Sequence, residues 1–327
     1  MNVSGVESQV TALRTTAGWL ARPEVYTLVL TGEDRVRFLN GMVTTDVAKL
    51  APGQGQLSIK ATPKGRVEGM LRVRCLSSAL HIEVEEVSAQ AVADGLAKMI
   101  IMDDVQMSDG TSDRAVFSVV GPMAAEKLSG LGLELPAAAH GFATTGAVTV
   151  IQDEGLGPRG FQLHVSSSEA AAWSAKFTEA GLTEVSMAAF DVLRVEQGVP
   201  RDGVDVDNDT IPMEARLEPA VDFSKGCFVG QEVIARAHNL GGVKHKLVGL
   251  QFEGGVPMVG AKLTADADGK DTGEVTSAVM SPTLERPIGL GYVRIAHEAV
   301  GTVLRVGDAN DSNVRAQVAA LPFISGA

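Results

Sequence analysis

The first half of the chain contains short apolar runs that are separated by turn residues, and most of these runs have the length of a strand. Residues 25–30 (VYTLVL) form a continuous apolar run, which is typical of a buried strand. In residues 80–86, Leu80, Ile82 and Val84 alternate with polar side chains, which predicts a strand with one buried face. Further strands are predicted over residues 67–76, 115–120, 147–151 and 161–165.

Helices are predicted between these strands, where turn and cap residues bound longer segments. The predicted helices cover residues 34–40, 88–99, 169–180 and 186–197. The last of them would begin at Ser186, a helix-capping residue, and end at Gly198, which tolerates the left-handed conformation of a helix end. Strands and helices together predict an α+β fold for this part of the chain.

The pattern changes after His245. Short β-rich runs follow one another there, separated by Gly, Pro and Asp turns and with little helical periodicity. This texture is typical of a small all-β barrel or sandwich. A boundary near Gly241 and Gly242 therefore divides the chain into a module over residues 1–241 and a C-terminal β domain over residues 242–327.

Length and composition limit the number of domains and the kinds of partner that are expected. At 327 residues, with 45% apolar and 21% charged residues, the chain is expected to form two or three globular domains. The net charge of -12 disfavours broad nucleic-acid binding, which needs a positive surface. The N-terminus has no signal-peptide pattern, and no apolar run approaches the ~20 residues of a membrane span, so we expect no membrane partner.

The two cysteines, Cys75 and Cys227, lie far apart in the sequence. A disulfide framework is therefore not expected, and a reducing, cytoplasmic location is predicted. Cys75 shares a strand face with Val73 and is predicted to be a core residue.

Two patterns that could indicate a nucleotide or metal site have weak support. Residues 155–160 match GxGxxG, but Pro158 interrupts the loop and a strand-like run follows instead of a helix. His238 and His245 have no thiol or carboxylate partners at metal-ligand spacing and are predicted to be surface residues. We therefore predict a turn at 155–160 and no metal site.

Residues 225–232 (KGCFVGQE) are the segment with the clearest chemistry. A helix is predicted to begin at Gly230 or Gln231, so Cys227 would lie just before a helix N-terminus and two residues from the Lys225 ammonium. Both features favour a thiolate, which can act as a nucleophile, a redox centre or a soft-metal ligand. The alternative is an inert cysteine buried with Phe228, and local chemistry leaves both open.

Glu196 is a second candidate. On a helix it shares a face with Val192 and Leu193, where a carboxylate needs a donor-rich partner such as a pterin ring. The alternative is an exposed acid near the helix end, or an ion pair with Arg194 or Arg201, and local evidence slightly favours this alternative.

The segment KGCFVGQE resembles the K-G-C-[FY]-x-G-Q-E motif of the YgfZ family, the folate-dependent iron–sulfur cluster maintenance proteins. Weaker resemblances occur in the order of that family, with Met42 where the family usually has Gln. They cover residues 38–46 (FLNGMVTTD), 62–66 (TPKGR), 194–200 (RVEQGVP), 211–215 (IPMEA) and 273–282 (GEVTSAVMSP).

This resemblance implies a fold that is similar to the glycine-cleavage T-protein. Three domains surround a central folate channel: two α+β subdomains, one inserted over roughly residues 50–112, and a C-terminal β-barrel. The resemblance also implies tetrahydrofolate as the ligand, Glu196 as the pterin-binding residue, and Lys225 and Cys227 as catalytic residues that face the channel. The remaining cofactor-binding residues would be Arg194, Asp46, Arg66, Glu214 and Gln231.

The related aminomethyltransferase carries an Asp-Asp pair where this chain has Glu68 and Gly69. Its second Asp assists chemistry at a folate-ring nitrogen, whereas Gly69 cannot move a proton. Glycine cleavage is therefore disfavoured. The leading hypothesis is a tetrahydrofolate-binding factor that supports assembly or repair of iron–sulfur proteins, with client or assembly proteins as partners. The alternatives are a folate-dependent one-carbon transferase and a tRNA-modification factor.

Overall fold

The computed structural model describes residues 3–153, 160–265, 269–307 and 314–324. Its helices are α1 (Val3–Thr15), α2 (Arg35–Met42), α3 (Glu86–Ala97), α4 (Ala124–Gly130), α5 (Ala170–Glu179), α6 (Met187–Gln197) and α7 (Gln231–Leu240). Its strands are β1 (Gly18–Ala21), β2 (Val25–Thr31), β3 (Gly55–Ala61), β4 (Val67–Cys75), β5 (Leu80–Glu85), β6 (Gln106–Asp109), β7 (Arg114–Val120), β8 (Phe142–Thr145), β9 (Val148–Gln152), β10 (Gly160–Ser166), β11 (Thr183–Glu184), β12 (His245–Glu253), β13 (Lys262–Ala265), β14 (Asp271–Ser281), β15 (Arg286–Arg294), β16 (Val303–Val306) and β17 (Arg315–Ala319). Within the described residues these strands form three sheets.

The first sheet has the strand order β11-β1-β7-β10-β9-β8. One face packs against α4 and α5 around an aromatic cluster, in which the rings of Trp19, Phe117 and Phe177 have centroids 5.4–5.8 Å apart. Because side chains alternate along a strand, the apolar residues of β7 and β10 face this core and their polar neighbours point to the opposite side.

The second sheet has the strand order β3-β4-β5-β2-β6. Its apolar face packs against α2 and α3, where Leu39, Val92 and Leu96 are fully buried with Leu71 and Ile82 of the sheet. This sheet also contains β2, which lies before the predicted start of the insert at about residue 50. The predicted domain limits stay predictions.

The third sheet is a closed barrel with the strand order β12-β15-β14-β13-β16-β17. Leu250, Leu263, Val293 and Leu304 fill its core. The predicted α+β fold with a C-terminal all-β domain is confirmed, and the sequence alternative of a sandwich is replaced by a barrel. Helix α6 joins the barrel to the rest of the protein, because Val195 packs against strands β12 and β15.

The helix predictions differ from the structure mainly at helix ends. The predicted helices correspond to α2, α3, α5 and α6, with boundaries shifted by at most two residues, and to α7, which begins at Gln231 as predicted. Ser186 caps α6 by accepting a hydrogen bond from Ala189 N, and Gly198 ends it with φ 70°. Helix α1 was missed because its sequence, VSGVESQVTALRT, is made largely of small and polar residues and buries little besides Val10 and Leu13.

Candidate functional site

The first and second sheets face each other through polar side chains. Arg72 and Arg74 of β4 and Glu83 of β5 point away from the α2–α3 core and towards β10 of the first sheet. His164 of β10 meets them, with its Nε2 2.6 Å from Glu83 Oε1. We call this region the interface layer; its members are Arg22, Arg72, Arg74, His81, Glu83, Glu85, Ser118, Asp153, Gln162 and His164.

Pairing within the interface layer compensates for the burial of its charges. Arg22 Nη2 donates to Glu85 Oε1 at 2.9 Å, and Arg72 forms an ion pair with Asp153 in which Nε and Oδ2 are 3.0 Å apart. Gln162 Nε2 also donates to Asp153 Oδ2, at 2.6 Å. Such buried pairs are retained only where each charge has a partner, since an unpaired buried charge costs several kcal/mol.

A narrow cavity lies at one end of the interface layer, where α6 and the segment after it meet β4 and β5. We call it the central cavity; its volume is about 50 Å³. It is lined by Arg22, Met70, Arg72, Glu85, Phe190, Arg194, Val199, Pro200, Arg201 and Asp202. Six of these ten residues are charged and four are apolar, so the cavity combines convergent charged groups with an apolar surface.

Asp202 is the carboxyl group of the central cavity that is best suited to hold a proton. It is 6% exposed, and its Oδ2 accepts a hydrogen bond from Met70 N at 3.2 Å. Burial raises the pKa of Asp202 above its ordinary value, and the charge of Glu85 adds to the rise, although the Met70 N–H opposes it. A carboxyl with a raised pKa can serve as a general acid or base.

Gly69, the position of β4 that the sequence singled out for proton transfer, does not face the central cavity. A Cβ built on Gly69 would lie 2.6 Å from Val92 of α3, so position 69 faces the helix core and not the central cavity. The next residue, Met70, lines the cavity. A thioether cannot move a proton either, so neither Gly69 nor Met70 supplies an acid group to the central cavity.

Glu196 is fully buried at the end of α6, and the interpretation as an exposed acid or a partner of Arg194 or Arg201 is wrong. Its Oε2 pairs with Arg14 of α1, and its Oε1 accepts a hydrogen bond from Ser281 Oγ at 2.5 Å. The carboxylate therefore joins α1, α6 and barrel strand β14. Its predicted pterin-binding role stays a prediction.

Arg194 does line the central cavity, and its guanidinium is held in place by three side chains. Nε donates to Asp191 at 2.6 Å, Nη1 donates to Asp205 at 2.7 Å, and Nη2 donates to Ser277 of the barrel at 2.9 Å. Arg194 thus fixes α6 against the barrel while one side of it borders the cavity.

The segment with Cys227 is anchored on both sides of the thiol. The Lys225 ammonium is buried and donates to the carbonyl oxygens of Asn40, Val43 and Thr45 at 2.6, 2.8 and 2.9 Å, while burial lowers the pKa of Lys225 to about 8. Phe228 is buried in the core beside β3. Cys227 itself is exposed, so the alternative of a buried cysteine is wrong for Cys227, while Cys75 is buried as predicted.

The other predicted cofactor-binding residues lie in different places. Asp46 accepts a hydrogen bond from Ala48 N and pairs with a nearby lysine, Arg66 is part-exposed, and Gln231 is the first residue of α7. Glu214 lines a second cavity of about 450 Å³ between the barrel and the 204–214 segment, which we call the barrel-side cavity. The structure therefore brings Arg194, of the eight predicted residues, to the central cavity.

Two further sequence features can be located. Most of the GxGxxG match falls outside the described residues, and β10 begins at its last glycine, Gly160. His238 is exposed and stacks on Phe223 with ring centroids 4.0 Å apart, and His245 lines the barrel-side cavity. Over the described ranges, no three His, Cys, Asp or Glu side chains are grouped to hold a metal ion, and no helix could cross a membrane.

Comparison with known families covers nearly the whole chain. Residues 2–225 match the GCVT N-terminal domain, and residues 245–324 match the glycine cleavage T-protein C-terminal barrel domain. The chain therefore belongs to the family of proteins that combine these two domains.

Its relatives indicate the chemistry found in the family. An aminomethyltransferase of Streptomyces coelicolor is 31% identical, over 95% of this chain and 87% of that protein. A putative chloroplastic transferase of Arabidopsis thaliana is 27% identical, over 90% of this chain and 68% of that protein. The crystal structure of the glycine cleavage system aminomethyltransferase T from Bartonella henselae matches with a TM-score of 0.91 and 25% identity, covering 99% of this chain and 91% of that one. The predicted T-protein-like fold is confirmed.

Proposed function

We propose that this protein is a folate-dependent one-carbon transferase that binds tetrahydrofolate in the central cavity. Its family and its aminomethyltransferase relatives support transfer chemistry. The observation that carries the proposal is Asp202, a buried carboxyl with a raised pKa that lies among arginines at the junction of the first and second sheets. Buried ionisable groups with shifted pKa values occur often at catalytic sites.

The side chains of the central cavity suit a folate in three respects. The carboxylates of Asp202 and Glu85 can accept hydrogen bonds from the amino and ring N–H groups of a pterin. Met70, Phe190 and Pro200 offer apolar surface for the flat ring. The arginines of the cavity, among them the part-exposed Arg201, can pair with the carboxylates of the glutamate tail of folate.

The central cavity is too small to hold a folate as it stands, so side chains must move when the ligand binds. A volume of about 50 Å³ is well below the ~300–1,000 Å³ of ordinary ligand pockets. Met70 is unbranched and flexible, which makes it the natural side chain to give way. The bound folate would supply the nitrogen that carries the one-carbon group, and Asp202 would hold or give a proton beside it.

Replacing Asp202 by asparagine tests this assignment, because it keeps the shape of the side chain and removes its charge and proton. Calorimetric titration with tetrahydrofolate is expected to show binding weakened at least about tenfold, since hydrogen bonds to charged groups are worth ~1.5–3 kcal/mol. The control is Asp209→Asn, whose side chain is 95% exposed. Equal affinity in the two variants would contradict the role of Asp202.

A second function, the support of iron–sulfur protein assembly or repair, is favoured by the exposed thiol of Cys227 on its anchored segment. Clusters usually take four ligands, so this one thiolate would act transiently or with a partner protein. Free thiols at both cysteines also support the cytoplasmic location that we propose. A tRNA-modification role gains no support from the net charge of -12.

Cys227→Ser tests this second function. A thiol reagent should label the native protein quickly at one position and the variant hardly at all, because Cys75 is buried. Cells that carry the variant are then expected to lose activity of iron–sulfur enzymes under oxidative stress. Normal activity of those enzymes, with the variant protein present at the native level, would remove the thiol from the proposal.

A further inference from the structure

The interface layer opens to solvent at the end opposite the central cavity. A cleft of about 420 Å³ lies there between strands of the second sheet and strands β7, β9 and β10 of the first. We call it the outer cleft. The residues that line it include His81, Ser108, Arg114, Thr149, His164 and Ser166.

One nitrogen atom that lines the outer cleft and one that lies behind it have no hydrogen-bond partner among the residues described. His164 is 2% exposed, and within the described ranges its Nδ1 makes no hydrogen bond. Because Nε2 faces the Glu83 carboxylate, the neutral ring leaves Nδ1 as an acceptor, which suits the P–OH group of a hydrogen phosphate. Behind the cleft, Arg74 is paired in register with His81 on the neighbouring strand, and its buried Nη2 finds no hydrogen-bond partner among the residues described. Unpaired buried polar groups are rare in proteins and call for an explanation, such as a ligand.

Two arginines share one buried carboxylate at this floor. Arg74 forms an ion pair with Glu83, and the half-buried Arg114 lies near both Glu83 and the exposed Asp113. Burial and the charges of Arg114 and Arg74 lower the pKa of His81 to about 3, although Glu83 opposes this. Burial also lowers the pKa of His164. The imidazoles therefore stay neutral, first because they are buried and then because the arginine charges lie close to them.

The outer edge of the cleft has the opposite charge. Asp109 of β6 and Asp113 before β7 line the opening and are exposed. Hydrogen bonds from the Thr111 side chain and from Thr111 N, the latter at 2.7 Å, hold the pKa of Asp109 below its ordinary value. A ligand that reaches the floor must therefore be small, because an extended polyanion would meet these carboxylates first.

We propose that the outer cleft binds a small phosphate-type oxyanion, either free phosphate or the phosphate of a monoester. Arg114 would bind two of its oxygens, and the hydroxyls of Ser108, Thr149 and Ser166 could donate to the others. The anion also offsets the positive charge that Arg114 and Arg74 place beside His81, which allows His81 to take up a proton. This site is separate from the central cavity and does not depend on the proposed folate chemistry.

Histidine side-chain NMR with inorganic phosphate tests the site on the intact protein. The chain has six histidines, and the His81 signals can be assigned with His81→Gln. Phosphate at up to about 10 mM, a weak but measurable range, is expected to shift the His81 and His164 signals and to raise the pKa of His81. Phenyl phosphate is the monoester probe, and tighter binding than free phosphate would identify the monoester as the source.

Matched variants complete the test. Arg114→Gln is expected to weaken phosphate binding at least about tenfold, as for the loss of a charged hydrogen bond. Arg37→Gln, whose side chain on α2 is 70% exposed, serves as the control. If Arg114→Gln does not fold, Thr149→Val should still weaken binding about threefold. The proposal is overturned if phosphate leaves both histidines unchanged, if acetate binds as tightly as phosphate, or if the cleft variants match the control.

Discussion

Replacing Arg14 by methionine is expected to lower the free energy of unfolding by about 3–5 kcal/mol. Arg14 is the ionic partner of Glu196, which is fully buried, so the substitution leaves a carboxylate inside the protein with Ser281 as its remaining partner. Methionine keeps the length of the aliphatic chain, which separates the loss of charge from a loss of packing. Urea denaturation followed by circular dichroism measures the change.

The control for Arg14 is Arg37→Met, since Arg37 is 70% exposed and its pairs should contribute below about 1 kcal/mol. The double variant Arg14→Met with Glu196→Gln should recover much of the loss, because it removes the unpaired charge as well. A loss in Arg14→Met no larger than in the control would mean that this pair does not hold α1 to α6.

Replacing Lys225 by methionine is expected to cost about 3 kcal/mol of unfolding free energy, because three buried carbonyl oxygens lose their shared donor. The same change should increase the rate at which Cys227 reacts with a bulky thiol reagent, since the lysine anchors one side of that segment. Denaturation and labelling kinetics measure the two effects.

Lys49→Met is the matched control for Lys225. Its side chain is 67% exposed and pairs with Asp46 and Asp222, so a loss below about 1 kcal/mol is expected. If Lys225→Met were no more destabilising than Lys49→Met, the ammonium would not be an anchor and its role beside the thiol would have to be reconsidered.

Local patterns in the sequence were sufficient for much of the fold. The all-β character of the C-terminal domain follows from short β-rich runs between turn residues, which fit a barrel or a sandwich. The limits of α6 follow from a capping serine and a left-handed glycine at Ser186 and Gly198. Buried Cys75 follows from its place in a strand. Each of these inferences depends on neighbours within a few residues of one another.

The candidate site depended on partners that are distant in the sequence. Arg14 lies 182 residues from Glu196, and the three carbonyls that bind Lys225 lie 180–185 residues from it. Local spacing therefore suggested a partner for Glu196 among nearby arginines, and an ammonium free to act on Cys227. Neither contact could be foreseen without the fold.

The charged residues of the interface layer are visible in the sequence as an alternating pattern, but that pattern alone does not show that their face is buried. His81, Glu83 and Glu85 alternate with apolar residues, which predicts a strand with one buried face and leaves the polar face assigned to solvent. The preceding strand carries Arg72 and Arg74 in the same alternation. Opposite charges on adjacent strands are compatible with a buried polar face, and here the first sheet covers it.

A crystal structure of the protein grown with tetrahydrofolate tests the central claim most directly. A pterin ring is expected in the enlarged central cavity, in contact with Met70 and Phe190 and within hydrogen-bonding distance of Asp202. A ring bound in the barrel-side cavity or against Glu196, or an empty central cavity at saturating tetrahydrofolate, would contradict it.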